Sequence, residues 1–103
     1  MKMTKLRKAA RDKPCMVRLP GCDGGGETTV LAHNRLAGTC GIGMKPPDLL
    51  GAWACFKCHD GIDYRAGSYM SKTERQLAHA QGVMRTIAAL LADGWTFEPP
   101  NKC

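Results

Sequence analysis

Apolar positions in the last third of the chain recur at helical spacing. Leu77, Ala80, Met84, Ile87 and Leu91 form one stripe, widened by Ala88 and Leu90. Ser71-Lys72-Thr73-Glu74 precedes it as a capping-box pattern, and Gly94 follows it. The pattern predicts a helix running to about Ala92 that packs through this stripe. Upstream the period changes. Residues 15–19 read as a short strand, and Thr28-Thr29-Val30-Leu31-Ala32, β-branched and apolar, as a second. Turn residues, Pro20-Gly21-Cys22-Asp23-Gly24-Gly25-Gly26, separate them. The two strands are therefore expected to pair as an antiparallel hairpin with a flexible glycine-rich loop. A phosphate cradle is the weaker reading of those glycines, because no helix follows them directly. Residues 34–52 show no clear period and carry Gly38, Gly41, Gly43, Pro46 and Pro47, so they read as a loop. A short helix is expected from Cys55 to about Arg65, weakened by Gly61 at a cost of about 1 kcal/mol relative to alanine. The order β-β-α followed by a long packing helix predicts an α+β fold.

Composition adds a constraint on stability. The 103 residues suffice for one small domain, and 12 glycines and 6 prolines leave few positions for core side chains. A thin core gains from a metal staple; a structural zinc can supply roughly 10 kcal/mol of apparent folding free energy.

Charge is placed unevenly. The chain carries a net +6. Lys2, Lys5, Arg7, Lys8, Arg11 and Lys13 against Asp12 put +5 of it in residues 1–13. A basic arm on a near-neutral body suggests a polyanionic partner, nucleic acid first; a solvated terminus is the plain alternative. The expected organisation is an arm at 1–13, one domain at 14–98 and a tail at 99–103. No apolar run follows the basic start as in an export signal, and no segment has the length and apolarity of a membrane span. The expected location is the cytoplasm, where six cysteines read as metal ligands rather than bridges.

The candidate chemistry centres on Cys55-Phe56-Lys57-Cys58-His59. This is the attachment sequence of c-type haem and equally a zinc knuckle entering a helix. Haem leaves Cys15, Cys22 and Cys40 without a role, and none of Met44, Met70 and Met84 is marked out as an axial ligand. Zinc needs two further ligands, which Cys15 and Cys22 supply if the hairpin brings them together, with Cys40 as the rival for one position; as free thiols these three would simply be small buried apolar groups. His59 and Asp63, four apart, share one face of a helix and could hold a divalent ion; the alternative for His59 is to ligate the zinc or hydrogen-bond a residue that does. His33 closes the second strand, where a group titrating near neutrality suits a general base, although a lone strand-end histidine is more often structural. His79, next to the apolar stripe, reads as structural.

Taken in chain order, a strand, a strand ending in histidine, a loop, and Cys-x2-Cys-His entering a helix resemble the HNH, or ββα-metal, endonucleases. More closely, residues 5–84 resemble the YbcO family of prophage-encoded proteins described as nucleases, related to phage recombination-enhancement nucleases. The stretches that carry this are KPCMVRLPGCDGGGETTVLAH, GMKPPDLLGAWAC and CHDGID. The resemblance implies a zinc-stapled ββα-metal core and a metal-dependent DNA endonuclease, with a recombination protein as a partner. It places the general base on His33 and the catalytic divalent ion, Mg2+ or a transition metal, on His59 and Asp63. The structural zinc falls on Cys55 and Cys58 with Cys15 and Cys22. Lys5, Arg7, Lys8, Arg11 and Arg35 would hold the DNA backbone. Two positions depart from the pattern: Ala32 stands where many HNH enzymes carry a metal ligand before the base, and Gly51 stands near the expected middle asparagine, with Asp48 the nearest polar substitute. A non-catalytic zinc-stapled nucleic-acid-binding module is the alternative function.

Overall fold

Ser71 sets the start of the longest element. Its hydroxyl accepts from the Glu74 amide at 3.1 Å and the Glu74 carboxylate accepts from the Ser71 amide at 3.0 Å, the reciprocal bonds expected of the capping box. The computed structural model describes residues 5–34, 48–63 and 70–96. Within these, the chain forms α1 (Lys5–Ala10), β1 (Val30–His33), a single 3-10 turn (Asp48–Leu50), β2 (Gly51–Ala54), α2 (Phe56–Asp63) and α3 (Lys72–Ala92). Cys40, Arg35, Met44, Arg65 and Cys103 lie outside the described residues.

The antiparallel pair differs from the expected hairpin. β1 pairs with β2 in the register Val30↔Ala54, Leu31↔Trp53, Ala32↔Ala52 and His33↔Gly51, and the Asn34 amide extends the ladder to the Leu50 carbonyl at 2.9 Å. β2 thus emerges from the end of the segment expected to be loop. Its sequence, Gly-Ala-Trp-Ala, is too short and too poor in β-branched residues to show as a strand; it is held there because all four residues are buried.

Residues 15–19 form no strand. Arg18 adopts φ +58, and the Leu19 amide points at the Cys58 sulfur, so backbone donors turn toward thiols instead of a ladder. Nor is the glycine loop a free one. The Gly24, Gly25 and Gly26 amides donate to Cys22 Sγ, Asp23 Oδ1 and Lys13 O, while Cys15 N donates to Gly24 O. Gly25 sits at φ +89, and a Cβ there would meet Cys15 N at 2.5 Å, so only glycine fits. With its amides occupied, the loop offers no phosphate cradle.

α3 packs through one edge of its apolar stripe, where Leu90 is buried and Ile87 joins the core, and through residues beside that edge. Gly82, Val83, Thr86 and Leu90 are its buried residues, whereas Leu77, Met84 and Leu91 are 57%, 62% and 56% exposed. The inward face is lined by small and polar residues because it meets backbone. A Cβ on Gly82 would come within 2.9 Å of Val17 and 3.2 Å of Ala52. The Thr86 hydroxyl accepts from Trp53 N at 2.9 Å and donates to Gly82 O at 2.8 Å.

Two apolar clusters result, one on each side of β2. Ala52 and Ala54 join Cys15, Val17, Ala32, Cys55, Cys58, Ile62 and Val83; Trp53 joins Ala10 and Leu90, with Leu6, Met16, Leu31, Ala89 and Trp95 around them. Within the basic N-terminal segment, residues 5–10 form a helix and bury Ala10 in the second cluster. No helix among the described residues is long and apolar enough to cross a membrane.

Candidate metal centre and adjoining histidine cluster

Four thiols converge from two parts of the chain. Cys15 and Cys22 flank the turn after α1, while Cys55 and Cys58 lie at the start of α2. Their sulfurs all lie within 4.8 Å of one another, and Cys22 Sγ is 3.8 Å from Cys55 Sγ. Zinc–thiolate bonds of about 2.3 Å in a tetrahedron place sulfurs about 3.8 Å apart. The donor set therefore fits a zinc-type ion, and the contact is far longer than a disulfide bond of about 2.05 Å.

The surroundings suit thiolates. Amides of Leu19, Gly24 and Cys58 donate to the sulfurs of Cys58, Cys22 and Cys55 at 3.4, 3.3 and 3.4 Å. Burial opposes ionisation of Cys15, but hydrogen bonds from the backbone around Arg18, Cys55 and Val17 and from the Cys22 thiol outweigh it, bringing it down to about 7. Burial pushes Cys58 and Cys22 the other way. Four clustered thiols cannot all ionise together unaided, and a bound cation removes that conflict. Gly61 has a packing reason: a Cβ there would lie 2.8 Å from Leu19 Cδ1, in the loop that covers the sulfurs.

Each of the three histidines has a defined partner. His33 closes β1, and its Nε2 is 2.6 Å from Asp48 Oδ1; Arg7 Nε reaches the same oxygen at 3.6 Å. His59 Nε2 and Asp63 Oδ2 are 3.2 Å apart on one face of α2, both partly accessible. His79 Nε2 lies 2.8 Å from the carbonyl of Ala32, the residue before His33, and so ties α3 to the end of β1. Burial lowers the His79 pKa; the Ala32 carbonyl and the Asp63 carboxylate pull it up, and His59 and His33 push it down. His79 therefore feels all three of those side chains.

The structure thus brings Cys15, Cys22, Cys55 and Cys58 together, and pairs His33 with Asp48 and His59 with Asp63. Ala32 is 2% exposed and offers no ligand atom. Lys5, Lys8 and Arg11 are exposed, whereas Arg7 is drawn to Asp48. Sequence reasoning reads His79 as structural and Asp48 as a polar substitute but names the partner of neither. Asp48 stands fifteen residues from its partner in an aperiodic stretch, and His79 borders a stripe that turns outward rather than inward. The one available signal is that His79 is a third histidine in a chain whose other two already carry candidate chemistry.

Comparison with known proteins gives concordant results. A family model described as "Putative nuclease YbcO" matches residues 4–95. Two proteins carrying that description, from Escherichia coli and from Enterobacteria phage 82, are each 48% identical over 93 residues, covering 89% of this chain and 96% of theirs. A solved structure of "a putative bacteriophage protein" from Escherichia coli superposes with TM-score 0.70 at 42% identity, covering 85% of this chain and 98% of that one.

Proposed function

The chain belongs to the YbcO family, whose members are described as nucleases, and on that footing we propose that it is a metal-dependent DNA endonuclease of the HNH type. The single observation that carries this reading is the His33–Asp48 pair at 2.6 Å, set at a strand end.

The roles follow from the donors and acceptors. With Asp48 accepting the Nε2 proton, the imidazole of His33 keeps a lone pair on Nδ1, and that nitrogen takes a proton from an attacking water. Arg7 Nε lies 3.6 Å from the same Asp48 oxygen and helps to orient the carboxylate. His59 and Asp63 would hold a divalent cation, Mg2+ or a transition metal; such an ion stabilises charge on a scissile phosphate and its leaving oxygen. His79 fixes the backbone before His33 against α3. The four cysteines would hold a structural zinc, locking the turn that follows α1 to the first turn of α2. Exposed Lys5, Lys8 and Arg11 supply phosphate contacts, with no base-reading element evident among the described residues, so weak sequence preference is expected. By the same family resemblance, a recombination protein is the expected partner, acting in the cytoplasm.

Ala32 favours a second reading. It is buried and carries no ligand atom where many HNH enzymes have one, as expected of a zinc-stapled module that binds nucleic acid without cutting. A cleavage assay on single-stranded, duplex and branched DNA across divalent metals decides between the two. The nuclease reading expects cutting that His33→Ala removes while zinc content and DNA affinity stay near wild type. Binding without cutting under every condition, with a recombination protein added, would leave the module.

A further inference from the structure

α2 turns an aromatic ring outward beside its acidic and imidazole side chains. Phe56 is 49% exposed, whereas Trp53 is buried and Trp95 half-buried, so Phe56 is the one exposed aromatic among the described residues. It stands between two thiols of the metal centre, Cys55 and Cys58, both buried. An ion in that centre would fix the backbone on either side of the ring, and a Phe side chain has few rotatable bonds to freeze on contact. At about 100° per residue, Phe56 points about 120° to 160° away from Cys58 and Ile62, the buried residues of α2. On the outward side Asp63 lies about 20° from the direction of Phe56, Asp60 about 40° and His59 about 60°. The His59–Asp63 pair at 3.2 Å therefore shares its face with an exposed ring one turn upstream.

The neighbours of the ring select what seats on it. Asp60 and Asp63 flank it, and their charges disfavour an anionic group in direct contact with it. A flat, uncharged group with a π-face is suited, and a nucleobase is such a group. Lys57, exposed and next in the chain, supplies a cation for the phosphate that accompanies a base. In continuous duplex both faces of a base are covered by its stacked neighbours, so only an unpaired base offers one freely. We propose that Phe56 is a stacking platform for an unpaired nucleobase, next to the phosphate that an ion on His59 and Asp63 would hold, and that the substrate is DNA with unpaired nucleotides rather than continuous duplex. This role presupposes the action on DNA proposed above but requires no bond cleavage. Stacking is tolerant of base identity, in keeping with weak sequence preference.

Fluorescence anisotropy with two labelled probes tests it: a duplex interrupted by a short single-stranded gap, and the same duplex without the gap. Zinc-loaded protein is used with no further divalent ion. Phe56→Ala should weaken binding to the gapped probe by roughly 5- to 150-fold, the range for loss of one base–aromatic stack, and leave continuous duplex near wild type. Phe56→Tyr keeps the ring and should bind like wild type; Phe56→Leu is apolar without a π-face and should bind like Phe56→Ala. Melting temperature and zinc content should not change in any of them, because the side chain is exposed. Removing the bases of the gap while keeping its sugars and phosphates should cost the wild type as much as Phe56→Ala does, and cost Phe56→Ala little. Equal affinity of wild type and Phe56→Ala for the gapped probe would overturn the proposal. So would an equal loss on continuous duplex, the mark of an intercalating wedge, or full retention by Phe56→Leu, the mark of a plain apolar contact. The Phe56 effect on binding with no cutting of any substrate would remove the nuclease reading and leave the stacking platform in place.

Discussion

His33 and Asp48, fifteen residues apart, meet at 2.6 Å between the end of β1 and the 3-10 turn that leads into β2. The contact joins the two ends of the segment between the paired strands and engages Nε2, which in the proposed mechanism leaves Nδ1 to act as the base. Asp48→Ala should lower kcat for DNA cleavage by about 10- to 100-fold, within the contribution of a general base, with little change in DNA affinity. Asp48→Asn should retain more activity, since its amide oxygen can still accept from Nε2. Imidazole 15N shifts should show the Nε2–H tautomer of His33 in the wild type and a mixture in Asp48→Ala. A tautomer indifferent to residue 48 would remove Asp48 from this role, whatever the cleavage assay shows.

An ion held by the thiol cluster should make folding metal-dependent. Purified protein should carry one tightly held zinc, and Cys58→Ser should lower thermal stability by several kcal/mol, a large part of the ~10 kcal/mol a structural site can supply. Metal analysis with calorimetry checks this. A metal-free chain that melts like the loaded one would rule the staple out.

Close packing on the inward face of α3 predicts two costs. Gly82→Ala forces a methyl against Val17 and Ala52 and should cost about 1–3 kcal/mol. Thr86→Val leaves the Trp53 amide without its acceptor, at about 1–3 kcal/mol. Urea unfolding measures both; neutral values would mean that α3 sits farther from β2 than these distances require.

His79 contributes an acid sensitivity whose sign follows from burial. Its folded pKa is depressed below the unfolded value of about 6.5, so the unfolded chain binds the proton more tightly. The stability it lends is present above about pH 6.5 and is lost as pH falls through the lower folded value. Unfolding free energies at pH 7.5 and pH 5 should differ less in His79→Gln than in the wild type. An equal difference in both would assign the sensitivity to other groups.

The phosphate contacts are tested by charge rather than truncation, because Leu6 and Ala10 of α1 belong to an apolar cluster and their removal would disturb the fold. Replacing exposed Lys5, Lys8 and Arg11 by alanine should weaken duplex binding for all sequences. The log–log salt slope should flatten by about 0.9 for each phosphate that is no longer neutralised. An unaltered slope would show that these side chains are merely solvated.

Features written locally are legible in the sequence. The capping box at Ser71, the helix end before Gly94 and the thiol pair at Cys55 and Cys58 each depend on neighbours a few residues apart. Features set by packing between distant segments are not. β2 is a strand because it lies buried under α3, and Gly-Ala-Trp-Ala has no alternating pattern to betray it. The inward face of α3 is hidden for the same reason. Gly82 and Thr86 look indifferent until a strand backbone packs against them, while Leu77, Met84 and Leu91 look like core. Residues 15–19 satisfy strand propensity, yet the Leu19 amide serves a sulfur atom.

The thiol cluster has one further consequence, for chain topology. Two of its sulfurs come from before Asn34 and two from after Asp48. With an ion held among them, a protease cut anywhere between those residues would not release two pieces. The nicked halves would travel as one particle, indifferent to reductants that part disulfide-linked fragments, and would separate when a chelator withdraws the metal.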